Sequence, residues 1–165
     1  MGEVTIRRAV REDLPAIIAM LDEVDDLHRR ALPWLFRQVD EPRSAGLLDD
    51  YVSKQDRTML LATTSEAALA GVLYMFMRQP ARAAIVQPTL IAEIDVLIVS
   101  RSVRRQGIGT RLVQAALQWA TDKGATRTEL GVYEFNESAH AFWASVGFRT
   151  LSRRLVAHSK PGVGA

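Results

Sequence analysis

Apolar and polar positions follow two different periods along the chain, and these periods predict the order of its strands and helices. Helical spacing of three to four residues marks 14–28, 47–52, 108–123 and 139–146. Alternating or continuous apolar runs of strand length mark 4–10, 58–64, 69–77, 91–99, 126–132 and 148–157. The predicted order is therefore β-α-α-β-β-β-α-β-α-β. An early meander followed by β-α-β-α-β predicts an α/β fold with a mixed sheet and helices on both faces.

Composition narrows the class of protein without indicating an activity. With 165 residues, 48% of them apolar, the chain is expected to form one domain over residues 1–158 with a flexible tail at 159–165. The formal charge of +2 is too small to favour nucleic acid, and no apolar run is long enough for a membrane span. The absence of cysteine excludes disulfides, thiolate metal sites and a cysteine acyl-enzyme. We therefore expect a cytoplasmic protein without nucleic-acid or membrane partners.

The most informative segment is the basic, glycine-containing turn at 99–110, between a predicted strand and a predicted helix. Gly107 and Gly109 would open that helix, whose first turn carries unpaired N–H groups and the positive end of the dipole. Arg104 and Arg105 add positive charge, so the turn suits a phosphate group. A structural turn with solvated arginines is an equally simple interpretation. A P-loop would need a Lys-Ser/Thr pair, and a dinucleotide fingerprint would need a third glycine.

Two motifs resemble the GCN5-related N-acetyltransferase (GNAT) superfamily. The series Arg104-x-x-Gly107-x-Gly109 is similar to its acyl-CoA signature, and NESAHAFWASVGF at 136–148 is similar to its Asn-x-x-Ala-x-x-Phe-Tyr-x-x-x-Gly-Phe motif. The resemblance implies an α+β sandwich with a mostly antiparallel, twisted sheet and acetyl-CoA as cosubstrate. The cofactor-binding residues that it implies are Leu97, Ile98, Val99, Arg104, Arg105, Gln106, Gly107, Ile108, Gly109, Thr110, Asn136, Ala139, Phe142 and Trp143.

The chemistry would take place where the strand ending at Val99 separates from the strand ending at Val132, helped by a bulge near 95–97. A backbone N–H at Leu97 would polarise the thioester carbonyl. Glu93 and Asp95 point to one face of their strand and are candidate general bases, with Glu93 preferred for its longer reach. Alternatively, either carboxylate pairs with a neighbouring arginine or binds the substrate ammonium.

Trp143 departs from the family motif, in which a tyrosine often protonates the leaving thiolate. Indole can donate a hydrogen bond but is not a useful proton source. The acid is therefore predicted to be Tyr133 or water, unless the thiolate leaves unprotonated. Trp143 itself would pack against the cofactor or the core.

The acceptor surface is expected to come from 24–52, from the 79–90 loop and from the 133–136 turn. Within the first of these ranges, His28 is a candidate for substrate contact. Three residues of the second predicted helix could line a site for a cationic acceptor, namely Asp49, Asp50 and Tyr51. An exposed acidic helix face is the simpler interpretation of that group.

The predicted function is acetyl transfer from acetyl-CoA to a primary amine, of a small molecule, peptide or protein, through a ternary complex. The alternative is a non-catalytic acyl-CoA-binding sensor or regulatory module, because the usual acid is missing at Trp143. No metal is expected, since His28, His140 and His158 lack metal-ligand spacing. A homodimer is left open.

Overall fold

The computed structural model describes residues 3–38, 45–80, 85 and 87–157. The strands are β1 (Thr5–Arg8), β2 (Arg57–Thr63), β3 (Gly71–Arg78), β4 (Ile91–Val99) and β5 (Arg127–Leu130). The helices are α1 (Leu14–Ala31), α2 (Ala45–Ser53), α3 (Ile108–Asp122) and α4 (Glu137–Ser145). The predicted order is confirmed for these nine elements. His158, the predicted tail at 159–165 and parts of the predicted acceptor loops lie outside the described residues.

The five strands form one sheet in the order β1-β2-β3-β4-β5. Neighbouring strands are antiparallel except β4 and β5, which are parallel. The predicted mixed, mostly antiparallel sheet is therefore confirmed. One buried cluster joins α1 and α2 to one face of the sheet, and another joins α3 and Trp143 to the opposite face. Within the described ranges, no helix combines the length and apolar character that a membrane span requires.

The predicted closing strand at 148–157 is wrong. This segment has no regular secondary structure, and Leu151, Leu155 and Val156 are 75%, 90% and 65% exposed. An alternating pattern predicts which side chains share a face, but a strand also needs a neighbour for its backbone hydrogen bonds. The adjacent β5 spans only Arg127–Leu130, shorter than the predicted 126–132, and pairs with β4 alone. The segment therefore makes no hydrogen-bond ladder.

The start of α1 is held to β1 by one ion pair. Arg7 donates two 2.7 Å hydrogen bonds to the carboxylate of Asp13, which also accepts the N–H of Val10 at 2.8 Å. The hydrogen bonds from Arg7 lower the pKa of Asp13 below its ordinary value of 3.8. This stabilisation is therefore present above pH 3.8 and is lost as the pH falls through the lower pKa of the folded state.

We expect Asp13→Asn to lower the free energy of unfolding by about 1 kcal/mol at pH 7, because the amide loses the negative charge and one of the two hydrogen bonds from Arg7. Urea unfolding at pH 7 and pH 2.5 measures the change, and the difference from the wild type should shrink at the lower pH. Asp56→Asn is the control, because Asp56 makes only a 3.7 Å, half-exposed contact with Arg57. Equal losses in the two variants would contradict a specific role for Asp13.

Candidate functional site

A gap opens between β4 and β5 at a bulge in β4. The parallel pairing of these strands stops at Ile94 and Leu130. On the other side of β4, Met75 pairs with Ile94 while Tyr74 pairs with Val96, so Asp95 is the extra residue of a β-bulge. The bulge predicted near 95–97 is confirmed. Beyond it, β4 has no β5 partner, and the chain after Leu130 continues as a loop.

The backbone of β4 directs two N–H groups into this gap. Ser100 directs its N–H toward β3, where it donates to the carbonyl of Ala70 at 2.9 Å. Along an antiparallel ladder, residues whose N–H and C=O groups face the partner strand alternate with residues whose groups face outward. Leu97, which is paired with Leu73, and Val99, which is paired with Gly71, belong to the outward-facing kind. Their N–H groups therefore point away from β3 and toward the gap.

The turn at the end of β4 leads into α3 through two residues with left-handed backbones. These residues are Arg105 at φ 65° and Gly107 at φ 77°. A Cβ atom on Gly107 would meet nothing within 4 Å, so open space lies beside the first amides of α3. Gly109 differs, because a Cβ there would approach the Phe142 ring at 3.2 Å. The Phe142 ring therefore leaves no room for a side chain at position 109. The N–H of Gly109 still belongs to the first turn of α3.

A cleft of about 370 Å³ lies between the turn, α1 and the start of α4. Arg104 in its wall donates from Nε to the Val99 carbonyl at 3.0 Å. Asn136 caps α4, because its Oδ1 accepts the N–H of Ala139 at 3.1 Å and the hydroxyl of Ser138 at 3.0 Å. Among the described residues, the side-chain NH₂ of Asn136 has no partner. The lining residues are Glu23, Val24, Leu27, Arg101, Arg104, Phe135, Asn136, Glu137 and Ser138.

These groups fit the diphosphate and pantetheine of CoA. Free amides at a helix N-terminus, arginine and open space over Gly107 suit an anionic phosphate group. The outward-facing backbone of Leu97 and Val99 and the Asn136 amide offer hydrogen bonds to an amide-bearing arm. Glu23 and Arg101 approach each other at 3.4 Å across the cleft, and both are substantially exposed.

The two candidate bases lie on the α1/α2 face of β4 but have different partners. Glu93 accepts a hydrogen bond from Nε of Arg78, and Nη2 of the same arginine donates to Glu129 at 2.7 Å. The predicted alternative of an ion pair with a neighbouring arginine therefore holds for Glu93. Asp95 is exposed at the bulge and accepts a hydrogen bond from the hydroxyl of Tyr51 at 3.2 Å. Burial, together with the charge of Asp95, raises the pKa of Tyr51 well above its ordinary value.

The aromatic candidates occupy two separate places. Trp143 is 9% exposed and packs in the core against Phe142 and Phe148, so it is not part of the cleft lining. Tyr133 is 41% exposed, lies three residues beyond the last paired residue of β5 and contacts other rings.

The second aromatic group, here called the aromatic wall, comprises His28, Phe36, Tyr133 and Phe135. Phe36 and Phe135 were missed as site residues, because isolated rings in loops carry no periodic signal.

The remaining acidic candidates are surface residues. Asp49 binds Arg11 at 2.7 Å, and Asp50 binds Lys54 at 2.7 Å. The simpler interpretation of this helix face is therefore confirmed for these two carboxylates. Their neighbour Tyr51 is buried against the sheet and contacts Asp95.

Comparison with known proteins agrees with this architecture. A BH1408 tetramutant from Bacillus halodurans superposes with a TM-score of 0.87 at 21% identity, over 93% of this chain and 99% of that one. A transcriptional regulator from Bacillus halodurans C-125 gives 0.75 at 25% identity, over 94% and 99%. The aminoglycoside N-acetyltransferase AAC(6')-Iy, in complex with CoA, gives 0.69 at 14% identity, over 94% and 99%.

The model of the acetyltransferase (GNAT) family matches residues 21–148, which span β2 to β5, all four helices except the start of α1, and the whole of the gap and cleft. The two motifs at 104–109 and 136–148 both lie within this range. The chain belongs to the acetyltransferase (GNAT) family.

Proposed function

We propose that this protein transfers an acetyl group from acetyl-CoA to a primary amine within a ternary complex. The observation that carries the proposal is the gap between β4 and β5, into which the N–H groups of Leu97 and Val99 point. At one end of the gap lies the N-terminus of α3, and at the other lies the carboxylate of Asp95. The proposed phosphate site, oxyanion donor and base would thus follow one another along one strand.

Cofactor binding is assigned to the turn, the strand edge and the start of α4. The amides of 106–110, with Arg104, would hold the diphosphate, since first-turn N–H groups and guanidinium both favour anions. Leu97 and Val99 would pair through their backbone with the pantetheine arm, and the Asn136 amide would add a hydrogen bond. The cosubstrate supplies an acetyl thioester, whose carbonyl carbon is open to attack by an amine.

The reaction is direct attack of a neutral amine on the thioester. The amine nitrogen forms a bond to the acetyl carbon, the carbon–sulfur bond breaks, and the electron pair leaves on the CoA thiolate. The Leu97 N–H would stabilise the negative charge that develops on the carbonyl oxygen. A carboxylate would take the proton that the ammonium must lose, directly or through a water.

Asp95 suits the role of base better than Glu93. Glu93 is already held by Arg78 through one of its carboxylate oxygens, so it is less free to contact an incoming ammonium. Asp95 has only a neutral hydroxyl partner and lies at the point where the strands separate. Trp143 lies in the core, so Tyr133 or water remains the proposed source of the proton for the thiolate.

The cofactor assignment is tested by thermal unfolding with acetyl-CoA, CoA or NAD. A ligand at about a hundred times its Kd adds about 2.7 kcal/mol, which corresponds to about 5–10 °C for a domain of this size. We expect that shift with both CoA species and none with NAD. No shift with saturating acetyl-CoA would contradict the proposed cleft.

Catalysis is then tested by thiol release across a panel of amines. Because Trp143 replaces the family tyrosine, a non-catalytic acyl-CoA-binding module is the second candidate function. That module would show the full CoA-induced shift but no thiol release above the hydrolytic background with any amine.

A further inference from the structure

The aromatic wall consists of four rings brought together from three separate segments. His28 comes from the last turns of α1, Phe36 from the loop after it, and Tyr133 and Phe135 from the loop after β5. His28 stacks on Phe36 with ring centroids 5.0 Å apart and meets Tyr133 edge-on at 5.2 Å. Tyr133 stacks on Phe135 at 6.0 Å. Tyr133 is 41% exposed, so part of its ring remains available for a further stacked or edge-on contact with an added aromatic group.

The aromatic wall borders the gap and stays accessible to a ligand. Phe135 lines the cleft together with Leu27, and Tyr133 is 41% exposed. Leu130 is the last paired residue of β5, so at most about 10 Å of extended chain separates Tyr133 from the point where the gap opens. Leu27, Trp34 and Leu35 extend the exposed apolar surface on the same segments. Exposed apolar side chains beside a cleft are typical of a ligand-binding site.

The charges beside the gap favour an acceptor with one positive charge. On the α1/α2 face of β4 and β5 the carboxylates are Glu93, Asp95 and Glu129. Glu93 is neutralised by Arg78, and Glu129 by both Arg78 and Arg127. Of these three, Asp95 is the one without a cationic partner among the described residues. On this face of the sheet an ammonium would therefore find one open carboxylate, while further charges of a polycation would have to reach Glu23 or Glu137 in the wall of the cleft that CoA is proposed to fill.

We infer that the acceptor is a monoamine with an aromatic body, whose ring packs on the aromatic wall and whose amine is directed toward Asp95. The inference rests on the proposed acetyl transfer, because it names the substrate class of that same site. The rings select an aryl group over a saturated ring of equal size, since stacked and edge-on aromatic contacts add to simple burial. The single uncommitted carboxylate selects one ammonium over several.

The test measures thiol release with four amines: 2-phenylethylamine, 2-cyclohexylethylamine, spermidine and sisomicin. We expect kcat/KM to be highest for 2-phenylethylamine and at least tenfold lower for spermidine and sisomicin. The cyclohexyl compound is the size-matched control and should have a higher KM than the phenyl compound. A preference for either polyamine over both monoamines would overturn the inference.

Substitutions in the aromatic wall test acceptor binding through KM, and kcat is recorded separately because Tyr133 is also the proposed acid. Tyr133→Ala and Phe36→Ala are each expected to raise the KM for 2-phenylethylamine at least tenfold, while the KM for acetyl-CoA stays within twofold. Tyr133→Phe keeps the ring and should restore most of the affinity. Tyr133→Leu keeps the apolar volume and serves if the alanine variant fails to fold. Val10→Ala, which shortens a half-exposed apolar side chain near β1, is the control and should change neither KM.

A binding measurement keeps this inference separate from the proposed reaction. Saturation-transfer NMR with CoA-loaded protein reports whether 2-phenylethylamine contacts the protein, and it needs no turnover. A signal that Tyr133→Ala abolishes would support the aromatic wall as the binding site, even if no amine were acetylated and the proposed reaction failed. Turnover of several amines together with unchanged KM values in the Tyr133 and Phe36 variants would leave the reaction standing and refute the aromatic wall.

Discussion

Replacing Gly107 with valine is expected to weaken acetyl-CoA binding by at least about 100-fold, equivalent to about 2.7 kcal/mol. The backbone at Gly107 has φ 77°, a conformation that a β-branched residue rarely adopts. A Cβ there would enter the open space beside the first amides of α3, which is the space assigned to the diphosphate. The variant would therefore lose phosphate contacts by steric exclusion. Isothermal titration with acetyl-CoA measures the loss directly.

Gly124→Val is the matched control for this substitution. Gly124 follows the other end of α3, has φ 78°, and would also place a Cβ where nothing lies within 4 Å. Both variants should lose a similar free energy of unfolding, of about 1–3 kcal/mol, because the backbone strain is the same. Only Gly107→Val should lose cofactor affinity. Equal acetyl-CoA affinity in the two variants would show that the diphosphate does not approach Gly107.

Asp95→Asn is expected to lower kcat by about 100-fold or more, the usual contribution of a positioned general base. Asparagine keeps the size of the side chain and its hydrogen-bonding oxygen, so Tyr51 retains a partner while the proton acceptor is lost. The KM for acetyl-CoA should change little, since Asp95 lies at the end of the gap opposite the proposed phosphate site. Steady-state thiol release at saturating acceptor measures kcat.

Glu93→Gln provides the comparison within the same strand. Glu93 is bound by Arg78, so its removal should lower kcat by less than tenfold. A larger loss in Glu93→Gln than in Asp95→Asn would reverse the assignment and restore the preference based on side-chain length. Full activity in both variants would indicate that the acceptor enters as the neutral amine or loses its proton to water.

Most of the fold was predictable because its elements are encoded locally. The helix at 108–123 and the strand at 91–99 were recognised from periodicity and apolar composition, and both lie within a residue of their observed limits. The segment 148–157 has an equally regular pattern but forms no strand, since no neighbouring strand completes its backbone hydrogen bonds. The apolar period is a property of one chain segment, whereas a β-strand forms only where a second segment pairs with it.

The candidate site was predictable where it depends on a few adjacent residues and not where it depends on distant ones. The bulge was anticipated near 95–97, but its consequence for the two carboxylates was not. Glu93 and Asp95 are chemically equivalent in the sequence, and they differ only because Arg78 reaches one and Tyr51 reaches the other. The aromatic wall escaped notice for the same reason, as its rings come from three segments.

The sequence by itself determined the family, the order of nine elements and the turn that begins α3. These features depend on patterns that are read over a few positions, such as apolar periodicity and the two glycines at 107 and 109. Only the tertiary structure decided that Trp143 is buried, that Glu93 is neutralised and that Asp95 is available. Those outcomes depend on contacts between residues far apart in the chain, such as Tyr51 with Asp95 at a separation of 44 positions. No local pattern records such a contact, because it exists only once the sheet has brought its strands together.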